Sequence, residues 1–117
     1  EDMVLLAECA NNASFFKSKI DSATISDLLN CRLSVPLVAD NLMGLAYFFD
    51  QLSAIHLIGR NWQTTLERCG AILLQGGDKP QRHENYASAL SRARRSGCFK
   101  GVDVIDATLA HIIKKKQ

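Results

Sequence analysis

The sequence predicts an all-α fold, a compact bundle of five or six helices around a central apolar helix at about residues 35–58. Three observations carry that expectation. Apolar residues recur at helical spacing along nearly the whole chain. Only two prolines and seven glycines interrupt 117 residues, too few for a loop-rich or many-stranded β protein. Residues 35–58, VPLVADNLMGLAYFFDQLSAIHLI, carry Asp40 and Asp50 as their only charges and are apolar around most of the circumference. At this length the chain suits a single helical domain spanning residues 1–117.

Each element has its own signal. Met3, Leu6, Ala7, Ala10, Ala13, Phe16 and Ile20 trace one face of a first helix, with Lys17 and Lys19 in its last turns, where cations suit the dipole. Thr24-Ile25-Ser26-Asp27 has the spacing of a capping box and opens a second helix whose face is Ile25, Leu28, Leu29 and Leu33. Pro36 suits the first turn of the central helix, where its missing N–H is no loss. Within that helix Leu42, Leu45, Phe49, Leu52 and Ile55 form the expected core face, and His56 is expected at a core or boundary position.

Asn61 is a fair N-cap for a fourth helix, WQTTLERCGAILLQ, with Trp62, Leu66, Cys69, Ile72 and Leu73 inward. Gly76-Gly77-Asp78 reads as a stop. A fifth helix, PQRHENYASALSRARRS, closes at Gly97, a good left-handed cap residue. A sixth runs from about Val102 to Lys115 with Val102, Ile105, Leu109 and Ile112 inward. No alternating run long enough for a strand stands out.

The stretch ISDLLNCRLSVPLVADNLMGLA, residues 25–46, has the outline of a helix-turn-helix. Its would-be recognition helix contains no Lys or Arg, and its one early charge, Asp40, is an acid. A helix that reads DNA needs cations and polar groups for phosphates and base edges. The stretch therefore reads as architecture.

Net charge is +2, but the halves are opposed. Residues 1–58 hold three Lys/Arg against seven Asp/Glu, a balance of −4; residues 59–117 hold eleven against five, a balance of +6. Such asymmetry is a clue to partners rather than to fold. The densest part is residues 79–100, where Lys79, Arg82, Arg92, Arg94, Arg95 and Lys100 face Glu84 alone. Tyr86 and Phe99 lie within it, and Lys114, Lys115 and Lys116 follow at the end of the last helix. Arg92 and Arg95 share a helix face with Ser88 and Asn85, and Arg94 lies on another side. This segment suits an acidic protein partner. It also suits nucleic acid, with cations on phosphates and an aromatic stacked on a base.

No spacing calls for a metal or a cofactor. The four cysteines, at 9, 31, 69 and 98, form no C-x-x-C pair and have no histidine at zinc-finger spacing. They read as four free thiols in the core of an intracellular protein, the other reading being two disulfides in a secreted domain with a sequon at Asn12-Ala13-Ser14. The start, EDMVLLAECANN, lacks the basic n-region of an intact signal peptide. Gly76-Gly77-Asp78-Lys79 lacks phosphate-loop spacing. His56, His83 and His111 have no acid placed to work with them in sequence. A membrane span needs about 20 predominantly apolar residues, and the central segment is interrupted by Asp40, Asp50, Gln51, Ser53 and His56.

The expected function is a non-enzymatic helical interaction module, an adaptor, regulatory subunit or self-associating domain. Its expected partner is an acidic protein or a second copy of itself. The alternative is a nucleic-acid-binding domain that uses residues 79–100 and the C-terminal lysines. The expected binding residues are Lys79, Arg82, Tyr86, Arg92, Arg94, Arg95, Lys100, Lys114, Lys115 and Lys116.

Overall fold

Helical periodicity along the chain produces six α-helices, in a computed structural model that describes residues 2–73 and 79–116. They are α1 (Asp2–Asn12), α2 (Ser22–Leu29), α3 (Leu42–Ala54), α4 (Trp62–Cys69), α5 (His83–Ser96) and α6 (Val102–Lys116). The all-α bundle is thus as the sequence predicts. A short parallel pair, β1 (Leu37–Val38) and β2 (Ile72–Leu73), is added to it. The glycine-rich stop at residues 76–78 lies outside the described residues.

The central helix is α3, at residues 42–54 rather than 35–58. Two local effects shorten it. Pro36 biases Val35 toward extended backbone, and residues 37–39 pair as extended chain. The Leu37 N–H donates to Ala71 and the Ala39 N–H to Leu73, while Phe16 bridges Ala39 on the other side. Asn41 is the true N-cap; its side-chain oxygen accepts from the Gly44 N–H at 3.2 Å. At the far end, His56 takes a left-handed φ of 65°. The Leu57 N–H then reaches back to the Leu52 carbonyl and the His56 N–H to Ser53, a Schellman stop. His56 is exposed on this turn, not set in the core.

The same device ends α1 at Ser14 (φ 58°) and α2 at Cys31 (φ 57°). Phe16 and Ile20 are therefore buried from the loop that follows α1, not from its helical face. The second helix starts at Ser22, because Asp21 takes the cap and accepts from both the Thr24 N–H (2.8 Å) and the Thr24 hydroxyl (2.7 Å). The predicted capping box at Thr24 is displaced by one competing carboxylate. The fourth helix ends at Gly70 in the left-handed region, which frees Ile72 and Leu73 for β2. The fifth begins at His83, not Pro80, since Pro80 bridges Leu73 and the Gln81 N–H donates to Ile72. Gly97 closes α5 as expected, at φ 68°.

One contiguous apolar core joins all six helices. Helix α3 packs most extensively on α5 and also meets α4 and α6, while α1 packs on α2 and α6. Leu45, Phe49, Leu52, Trp62 and Leu66 are buried as predicted, and Leu42 and Ile55 are half-buried at its edge. Phe15, Phe48, Phe49, Trp62 and Tyr86 form a chain of ring contacts through its centre. Among the described residues, no helix is long and apolar enough to cross a membrane.

The cysteines divide. Cys31 and Cys69 form a disulfide with Cα atoms 5.7 Å apart, which corrects the reading of four free thiols. Cys31 is the left-handed residue after α2, and Cys69 is the last of α4. The bridge therefore staples two helix ends that are 38 residues apart in sequence. Cys9 is buried, with its thiol pushed up to about 11 chiefly by that burial, and Cys98 is exposed.

Candidate functional site

Helix α5 buries Tyr86, Ala89, Leu90 and Ala93 against the core. At about 100° per residue, Arg95 projects directly away from that face. Arg92 and Arg94 stand on its two flanks. The helix thus carries a ridge of Glu84, Ser88, Ser91 and Arg95, with all four side chains exposed.

The flanks border different depressions. Arg92 joins Asn85, Ser88, Asp40 and Asn41 around one of about 540 Å³. Arg94 and Arg95 join Gln63 of α4, with Ala87 and Ser91, around another of about 380 Å³. Behind the first lies Gln81, 3% exposed, which holds the start of α5 through the Asn85 amide at 2.8 Å.

The cations are not equivalent. Arg94 donates to the Asp50 carboxylate of α3 at 2.9 Å and is thereby tied to the acidic half. Arg82 lies 3.9 Å from Glu84, with both side chains largely exposed. Lys79, Arg92, Arg95, Lys100 and Lys114 are exposed and make no ion pair among the described residues. The side chains of Lys115 and Lys116 lie outside the described residues.

Tyr86 is a correction. Expected as a stacking surface, it is 0% exposed and packs edge-on against Trp62. Its hydroxyl has no hydrogen-bond partner among the described residues. Burial, reinforced by the nearby Glu67 charge, pushes its phenol far above the ordinary range. Phe99 is half-buried and packs edge-on against Tyr47. No aromatic of the basic segment is fully open to a base.

His83 has a partner that sequence proximity hid. The Glu67 carboxylate of α4 accepts from the His83 backbone N–H at 2.6 Å and lies 2.7 Å from His83 Nδ1. These bonds hold Glu67 below the usual carboxylate range, the backbone one foremost. The carboxylate thus caps α5 from a neighbouring helix. Among the described residues, no three His, Cys, Asp or Glu side chains gather as a metal would require.

A second feature escaped sequence reading altogether. A cavity of about 490 Å³ opens between the end of α2, the start of α4 and the loop joining α3 to α4. Its walls come from segments that only tertiary closure brings together, and Cys31 is part of them.

Comparison with known proteins adds no relative: no protein-family model, curated protein or solved structure matches the chain.

Proposed function

We propose that this chain is a non-enzymatic interaction module that docks an acidic protein partner on the solvent face of α5. One observation carries the reading: the acidic N-terminal half neutralises Arg94 through Asp50, yet leaves Arg92, Arg95 and Lys100 exposed and without an ion pair among the described residues. Exposed cations contribute little to stability, so their concentration at the end of one helix suits association better than folding. The small residues Ser88 and Ser91 leave the ridge low enough for a partner to reach the guanidinium groups. Nucleic acid is the weaker reading, because Tyr86 is buried and cannot stack on a base.

The Cys31–Cys69 bridge further supports work in an oxidising compartment, where such bonds persist. This reading replaces the intracellular expectation, which leaned on free thiols.

The test is charge reversal at Arg92→Glu with Arg95→Glu, leaving Arg94 and its ion pair in place. The double variant should keep the wild-type fold. Association with a glutamate-rich peptide should slow at least tenfold, because complementary charge acts chiefly on the on-rate. Selective, sub-micromolar binding of duplex DNA at physiological salt would reverse the choice of partner, since non-specific cationic contact gives only about 10⁻⁴–10⁻⁶ M.

A further inference from the structure

We propose that the cavity between α2, α4 and the α3–α4 loop binds a medium-chain carboxylic acid. Its deep surface is apolar: Leu28, Phe49, Trp62 and Leu66 line it and are each at most 6% exposed. Its solvent side is polar, with Asn30, Arg60 and Asn61 all exposed. Arg60 makes no ion pair among the described residues, and no acidic side chain is among those lining the cavity. An apolar body with one unmatched guanidinium at the open end is complementary to a hydrocarbon chain that ends in one carboxylate.

The volume sets the size of the guest. About 490 Å³ falls within the range of small-molecule sites. At roughly 30 Å³ per atom-sized occupant, the liquid share of one water, it takes at most about sixteen heavy atoms. That is too little for a partner helix or a two-chain lipid, and it suits a ten-carbon acid. The disulfide holds the form of the site, because Cys31 lies in its wall and is bonded to the end of α4. This surface shares no residue with either depression beside α5, so it stands independently of the docking face.

Trp62 makes the test direct. It is the one tryptophan of the chain and forms part of the cavity wall. Titration of the disulfide-bonded protein with decanoate should give a saturable, one-to-one change in its fluorescence. Decanol, which has the chain but not the charge, should bind about tenfold more weakly, the worth of one charge-assisted hydrogen bond. Arg60→Ala, an exposed change in the turn before α4, should bring decanoate to the level of decanol. Thr65→Phe from α4 and Leu57→Phe from the loop each fill the cavity, and whichever folds should abolish binding of both probes. No saturable change with either probe, equal affinity for the two in the wild type, or full binding in a folded filled variant would overturn the proposal.

Discussion

The side-chain amide of Asn41 donates to the Lys100 carbonyl at 2.8 Å, joining the start of α3 to the link between α5 and α6. The same nitrogen donates to the Ala13 carbonyl at 2.9 Å, while its oxygen caps α3 at Gly44. One side chain thus ties three chain segments. The packing around it has no spare room: a Cβ on Gly44 would lie 2.6 Å from the Asn41 amide nitrogen and 3.2 Å from the Lys100 oxygen, and one on Gly101 would meet Ala13 at 2.6 Å.

Asn41→Ala should cost about 2–3 kcal/mol, since it removes a cap and two bonds to backbone carbonyls. Asn41→Asp separates these roles. It keeps a good N-cap acceptor but sets a carboxylate against two carbonyl oxygens, so it should also destabilise. Urea unfolding of both variants measures this, and a wild-type midpoint for Asn41→Asp would reduce Asn41 to an ordinary cap.

Helix existence was legible in the sequence, as were the start of α4 at Asn61 and the close of α5 at Gly97; most other helix ends were not. Periodicity found all six helices, but three of them stop at Ser14, Cys31 and His56 in left-handed turns where glycine is the usual signal. With no glycine there, the central helix read on through His56 to Ile58. Pro36 set the start of the central helix too early, and the Asn41 cap went unread. Tyr86 was readable in principle, since it shares helical phase with Ala89, Leu90 and Ala93. Its place in a basic segment drew attention to its ring instead of its phase. The exposed arginines were legible, but the Arg94–Asp50 pair, the Glu67–His83 pair and the cavity arise from long-range closure that no local pattern encodes.

The disulfide closes 38 residues of sequence, and the chain-entropy relation assigns such a loop about 4 kcal/mol. Reduction, or Cys31→Ser with Cys69→Ser, should therefore lower stability by about 2–4 kcal/mol in denaturant titration. Alkylation under native conditions should modify exposed Cys98 and spare buried Cys9. Four equally reactive thiols in the non-reduced protein would contradict the pairing.

The Glu67 cap predicts a pH dependence with a definite sign. Its carboxyl is held below the ordinary value in the folded protein, chiefly by the His83 backbone N–H. Its stabilising effect is therefore fully present above the unfolded-state carboxylate pKa and is lost as pH falls through the lower, folded value. Glu67→Gln should flatten that part of the acid limb and change stability little when both forms are already protonated. An unchanged acid limb in the variant would show that the contact has no weight.

In the core, Leu45 and Phe49 are each 1% exposed on the inner face of α3. Truncation of either to Ala should cost about 2–5 kcal/mol, because a cavity adds to the lost transfer energy. Chemical denaturation reads the loss directly, and a cost under about 0.5 kcal/mol would move α3 from the core to a surface.

The docking face on α5 is tested most directly by a backbone NMR perturbation map with a glutamate-rich peptide at physiological salt. The shifts should concentrate on residues 88–100, centred on Arg92, Arg95 and Lys100. They should vanish in the Arg92→Glu, Arg95→Glu double variant while the Arg94–Asp50 pair and the core resonances stay in place. Shifts that are absent, that centre on the acidic half, or that persist unchanged in the double variant would contradict the account.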